Sequence, residues 1–167
     1  MRTASLIFTA GRGSRLKGFD GNKTLLPLIP GNPCFEGEKP ILLHILHHLP
    51  PGPKALVVNF KKDEVMKATR SLDLSYYEQP TLNGTGGALL AARGFLEGQA
   101  CRDAIITMGD VPFVKAETYQ QLALHLESKS LVVLGFHPQD KRQYGLLETE
   151  GDGVKRIIEW KYGMKCH

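Results

Sequence analysis

No apolar run in this sequence is long enough to cross a bilayer, no basic cluster interrupts its mixed charges, and cysteine occurs only three times in 167 residues. Each shortage excludes something. A membrane-spanning helix needs about 20 consecutive apolar residues, so no membrane partner is expected. Lys and Arg number 21 against 17 Asp and Glu, a net charge of +4. The two signs are interspersed, which argues against a nucleic-acid partner and leaves room for a small anionic one. Cys34, Cys101 and Cys166 are odd in number, widely separated and without the paired spacing of a zinc site. They read as reduced thiols of a cytoplasmic protein. Arg2 precedes a short strand-like run, not the longer apolar region and cleavage site of a signal peptide. Internal repeats, low-complexity tracts and linkers are also missing. His44, His47 and His48 have helical spacing but no carboxylate between them, so they are expected to be structural or solvent-facing.

What is present alternates. Thr3–Thr9, Ala55–Phe60, Ala104–Met108 and Leu131–Phe136 are short apolar, β-branched runs of the kind that become strands buried on both faces. Between them, Ile41–Leu49, Asp63–Leu72, Gly86–Gly98 and Ala116–Ser128 are expected to be helices. This order predicts an α/β fold with a doubly wound, mostly parallel, Rossmann-like sheet, binding its ligand outside the carboxyl ends of the strands. Tyr144–Trp160 carries two strand-like runs around Glu150-Gly151-Asp152-Gly153, a C-terminal hairpin signal. The whole chain, 1–167, reads as one domain. It is expected to be incomplete at its C-terminal end, because no further strand and helix follow to cover a sheet edge.

Three loops carry the chemistry. "AGRGSR", Ala10 to Arg15, follows the first strand. Glycine at Gly11 and Gly13 lets consecutive N–H groups converge on phosphate oxygens, while Arg15 and Lys23 could neutralise a polyphosphate. "EQPTLNGTGGALLAAR" follows another strand: Gln79 offers a donor and an acceptor for a base edge. Gly84 and Thr85 stand at a helix start, where free N–H groups favour an acceptor. "TMGDVP" ends a strand with Gly109 and Asp110, a carboxylate suited to magnesium (Mg2+), which takes one or two carboxylates plus substrate phosphates.

Taken together these segments resemble the sugar-1-phosphate nucleotidyltransferase family, most closely the uridylyltransferase domain of the N-acetylglucosamine-1-phosphate type. The resemblance implies that Phe8, Thr9, Ala10, Gly11, Gly13 and Arg15 surround the nucleotide. It assigns phosphate contact to Lys23 of "NKTLLPL", base recognition to Gln79, Gly84 and Thr85, and metal binding to Asp110, with Met108 and Gly109 beside it. Tyr144, Gly145 and Glu159, followed by Lys161, would contact the sugar. Leu82 stands where the family often has a second glutamine, and Trp160 where a polar residue is usual. A sugar-contacting asparagine and a second metal ligand would lie beyond His167.

The implied reaction joins a nucleoside monophosphate from a nucleoside triphosphate, UTP first among them, to a sugar 1-phosphate such as N-acetylglucosamine 1-phosphate, with release of pyrophosphate. Arg15, Lys23 and Asp110 would be its catalytic residues. The nucleophile is already anionic, so no general base is needed and no histidine or serine constellation is called for. This chain alone is expected to bind nucleotide better than it turns it over. Two other readings stand beside this one: a guanylyl- or cytidylyltransferase of cofactor or polyol phosphate metabolism, and a non-catalytic nucleotide-sensing subunit of the same fold. An oligomer is compatible with the sequence.

Overall fold

Ile7 of the first strand packs into one hydrophobic cluster, whereas Ala4 and Leu6 pack into another on the opposite side. Only a strand covered on both faces does this. In a computed structural model of the chain, which describes residues 3–13, 16, 18–139 and 144–158, that strand is β1 (Ala4–Phe8). It is followed by a single 3-10 turn (Lys23–Leu25), β2 (Pro27–Pro30), β3 (Gly37–Pro40), α1 (Ile41–His48), β4 (Lys54–Val58) and α2 (Lys62–Thr69). Next come β5 (Ser75–Glu78), α3 (Thr85–Ala91), α4 (Arg93–Gly98), β6 (Ala104–Met108), α5 (Ala116–His125), β7 (Leu146–Glu150) and β8 (Gly153–Ile158). The chain divides into two compact units, Met1–Leu124 and His125–His167.

The first unit holds a four-stranded sheet in the order β5-β4-β1-β6, with every pairing parallel. One face is covered by α1, α2 and α5: Leu42, Ile45, Leu46, Leu49, Val65 and Tyr119 pack on Ile7, Leu56, Val58 and Ile105. On the other face Ala88, Ala92 and Phe95, from α3, α4 and the residue between them, meet Leu6, Ala55 and Val57. The doubly wound parallel sheet foreseen from the alternation is thus present. Its order has a consequence. The chain builds outward from β1 through β4 to β5, then crosses back to lay β6 on the far side of β1. In open sheets of this kind the ligand crevice lies where the winding reverses, which here is at the carboxyl ends of β1 and β6.

In the second unit β7 and β8 pair antiparallel across the turn at Gly151 and Asp152, as the hairpin signal predicts. Residues 131–136, expected as a buried strand, are not one. They have no ladder partner among the described residues, and Leu131 and Phe136 are largely exposed. An apolar run supplies the side chains of a core strand but not the neighbouring backbone that must satisfy its N–H and C=O groups. The helix expected over Gly86–Gly98 is also two helices. Ala92, at φ −98 and ψ 14, closes α3 by donating to Leu89 O and Leu90 O, then opens α4. With Gly86, Gly87 and Gly94 in the segment, its intrinsic helix propensity is too low to resist that break.

Candidate active site

Lys23 is followed and preceded by fully buried polar residues, an unusual setting for a lysine. Asn22 and Thr24 are each 1% exposed. Asn22 caps the 3-10 turn, its Oδ1 accepting from Thr24 N at 3.0 Å and Thr24 Oγ1 at 2.8 Å. Its Nδ2 donates to Thr9 O at 2.9 Å and to Phe60 O at 2.8 Å. These bonds carry the turn back over the end of β1. The Lys23 stem then lies against the glycine loop: a Cβ built on Gly13 would come within 3.3 Å of Lys23 Cβ, and one on Gly11 within 3.6 Å of Cε. Gly13 has φ +61, a conformation that L side chains rarely adopt. Gly11, Arg12 and Gly13 donate no backbone hydrogen bond to any described residue. The Arg12 guanidinium lies 6.0 Å from the Phe60 ring centroid.

At its tip Lys23 pairs with Asp110, the residue 87 positions later that follows β6. The two side chains are 28% and 32% exposed, so solvent reaches the pair. The structure therefore brings together the glycine loop, Lys23 and Asp110 at the topological switch point. Gly109 fixes the approach. Its N–H donates to Phe8 O at 2.9 Å. A Cβ there would lie 2.9 Å from both Thr9 Cγ2 and Thr24 Cγ2 and 3.0 Å from Phe8 O. Gly109→Ala is accordingly expected to lower stability by about 1–3 kcal/mol through overpacking against two buried threonine methyls and the Phe8 carbonyl. Urea denaturation checks it, and an unchanged midpoint would show that the three neighbours can move apart.

Thr9 and Ala10 are buried beneath this loop, and Thr9 donates from both N and Oγ1 to Val57 O. Phe8 closes β1 and Met108 closes β6. The third segment starts from Gln79, 4% exposed, directly after β5. Gln79 Nε2 donates to Asn83 Oδ1 and to Gly84 O, both at 3.1 Å. Because a main-chain carbonyl can only accept, this pair of bonds fixes which end of the amide is nitrogen. Gln79 Oε1 takes no hydrogen bond from the described residues and so remains an acceptor. Thus only the acceptor half of the expected base-reading amide is free. Gly84, at φ +95, precedes Thr85, the first residue of α3, and both are exposed. Leu82 is exposed in the same loop.

Arg15 and Glu159 lie outside the described residues, as do Trp160 and Lys161. Tyr144 and Gly145 precede β7 in the second unit, where the Tyr144 ring meets Phe136 edge-on at 4.9 Å. Sequence reasoning missed Asn22 altogether, since a polar residue between glycine and lysine looks like solvated loop. It also missed the support from the β4–α2 loop. There Lys61 pairs with Asp20 and Glu64, and Glu64 Oε2 accepts from Asn22 N at 3.3 Å. Nearby, Lys62 donates to Glu78 at 2.6 Å, and this hydrogen bond, then the carboxylate's charge, raises the ammonium above its ordinary pKa. Behind the site, burial pushes the Tyr119 hydroxyl up, partly opposed by its bond to Thr107.

The histidines of α1 form no metal centre among the described residues. His48 Nδ1 donates to His44 O at 2.8 Å, and partial desolvation, then His48, Lys39 and His47, lower His44. Cys34 and Cys101 are free thiols. No helix among the described residues is long and apolar enough to cross a membrane.

A family model described as the MobA-like NTP transferase domain matches residues 5–151. The chain is 35% identical over 164 residues to the bifunctional protein GlmU of Sphingopyxis alaskensis, an overlap of 95% of this chain and 34% of that protein. To the GlmU of Cereibacter sphaeroides it is 36% identical over 166 residues, again 95% of this chain and 34% of the relative. The chain therefore spans about a third of the length of these curated relatives. Among solved structures it resembles a Thermus thermophilus protein described as a mannose-1-phosphate geranyltransferase, with a TM-score of 0.71, 25% identity and coverage of 99% of this chain and 53% of that one. A nucleotidyl transferase from Methanothermobacter thermautotroptrophicus shares the fold at a TM-score of 0.60 and 21% identity, over 74% of this chain and 57% of the other.

Proposed function

The chain belongs to the MobA-like NTP transferase domain family, and we propose that its crevice binds a magnesium–nucleoside triphosphate and transfers the nucleotidyl group to a sugar 1-phosphate. The observation that carries this reading is the meeting of Lys23 and Asp110 beside a glycine loop whose N–H groups have no acceptor among the described residues, at the switch point of the sheet. A lysine among unbonded N–H groups is a phosphate site in its charges and its geometry.

A sugar 1-phosphate oxygen is anionic at neutral pH. It attacks the α-phosphorus of the triphosphate, the bond to the bridging oxygen breaks, and pyrophosphate leaves with the electron pair. No proton has to be removed, so the protein's contribution is positioning and charge. The N–H groups of Gly11 to Gly13 orient phosphate oxygens, Lys23 turns from Asp110 to the phosphates, and Arg15 adds charge. Asp110 fits a magnesium ion because its carboxylate already faces a cation, the Lys23 ammonium, and stays within reach of solvent. The described residues offer no cluster of three metal ligands, which suits an ion that completes its shell with substrate oxygens. When bound, magnesium would supply Lewis-acid polarisation of the phosphates. For Tyr144, Gly145 and Glu159 the sugar role rests on the family resemblance alone.

Base choice follows from Gln79. Its free Oε1 accepts a hydrogen bond, which uracil can meet with N3–H; adenine and cytosine can meet it only with an exocyclic amino group, because the ring nitrogen beside that group is an acceptor. That geometry is compatible with UTP, and UTP with N-acetylglucosamine 1-phosphate is the pair we propose on the strength of the resemblance to the uridylyltransferase type. Guanine, which has N1–H, is the second reading, and exposed Leu82 in place of another polar side chain leaves it room. Thermal-shift measurements with the four triphosphates and magnesium, followed by pyrophosphate release on addition of the sugar phosphate, test this. Stabilisation by UTP above the others supports the assignment; stabilisation by ATP or CTP alone would remove it.

A further inference from the structure

We propose that Asn22 is a positioning residue for triphosphate binding: it sets the place of Lys23 and acts on the substrate only through that lysine. The inference rests on the reading that Lys23 contacts the phosphates. Every polar atom of Asn22 is committed. Its N donates to Glu64, its O accepts from Leu25 N at 2.9 Å, Oδ1 takes two bonds from Thr24, and Nδ2 gives two to carbonyls. Those carbonyls belong to different parts of the sheet's rim, Thr9 after β1 and Phe60 after β4. One amide thus joins two strand ends, and its other half holds the residue on the far side of Lys23.

The arrangement divides the labour between neighbours. Asn22 and Thr24 are buried and immobilised, and only the Lys23 side chain projects from between them toward the crevice. A flexible lysine in a solvated loop would have to be ordered at the moment of binding, which lowers affinity; here that ordering is already done. Asparagine is the side chain that can do this, because the site needs two donors and an acceptor on one planar group. Aspartate has the same shape, but it would set a carboxylate oxygen against two carbonyl oxygens.

The test is a double-mutant cycle on the full chain, with magnesium tripolyphosphate as the probe so that base recognition plays no part. Affinity is read by calorimetry and melting temperature by scanning fluorimetry for Asn22→Asp, Asn22→Ala, Lys23→Ala and the doubles. Asn22→Ser replaces any variant that does not fold. Substituting Asn22 alone is expected to weaken tripolyphosphate binding by about tenfold or more, because the lysine must then be ordered on binding. In the Lys23→Ala background the same change should alter affinity by less than about twofold, while the melting temperature falls equally in both backgrounds. An equal loss of affinity with and without Lys23, or a folded Asn22→Asp that binds normally, would overturn the proposal. Normal binding by Lys23→Ala itself would remove the reading beneath it, and the proposal with it.

Discussion

Lys23→Ala should weaken binding of magnesium–UTP and slow turnover on the order of 10²-fold, the size of effect found when one preorganised group facing developing charge is removed. Buried Asn22 and Thr24 hold the turn on either side of Lys23, so truncating the lysine subtracts a charge without collapsing the turn. The same substitution has a second, opposite result. In the nucleotide-free chain Lys23 neutralises Asp110. Without the ammonium the carboxylate is unpaired, and divalent-ion binding in the absence of nucleotide should strengthen. Manganese binding followed by electron paramagnetic resonance reads that rise directly. Weaker triphosphate binding with tighter manganese binding is the expected pair; equal triphosphate affinity in wild type and variant would remove Lys23 from the site.

Asp110→Asn should have the larger effect on turnover, a loss on the order of 10²- to 10³-fold, with a smaller effect on nucleotide affinity. The amide keeps the side chain's shape and its place next to Gly109 at the end of β6. What it loses is the charge that attracts a hard cation. Lys23 is at the same time released from its partner, which offsets part of the loss in triphosphate binding. Pyrophosphate release measured across a magnesium titration separates the effects: the variant should need far more magnesium and still not recover. Full recovery at raised magnesium would limit Asp110 to ion capture, and an unchanged profile would exclude it as a ligand.

The sheet was legible because the runs in β1 and β4, its two central strands, are apolar almost without interruption, as buried parallel strands require, whereas β6, an equally apolar run expected to be buried on both faces, is an edge strand with Ile106 and Met108 exposed. The same signal misled at residues 131–136, where the side chains qualify but no described strand pairs with the backbone. The β2–β3 hairpin was hidden for the opposite reason. It begins or ends with proline at Pro27, Pro30 and Pro40, and proline counts against a strand except at an edge or a strand end. In the site, glycine, lysine and aspartate announce themselves by type. Their meeting does not, since Lys23 and Asp110 are brought together by the crossover that places β6 next to β1. Asn22 is the extreme case. Nothing in its type distinguishes a solvated loop amide from one that satisfies two strand ends, because the difference lies wholly in the carbonyls around it.

The most direct measurement is a backbone amide chemical-shift titration of the isotopically labelled chain with magnesium–UTP. A nucleotide with its phosphates at the carboxyl ends of β1 and β6 and its base reaching across the sheet to the end of β5 should move the amides of Ala10 to Gly13, Lys23, Gln79, Gly84, Thr85, Gly109 and Asp110 together, with one saturation curve, and should leave the histidine face of α1 undisturbed. Shifts confined to other surfaces, or separate saturation curves for the glycine loop and for Asp110, would contradict a single nucleotide site built from these three loops.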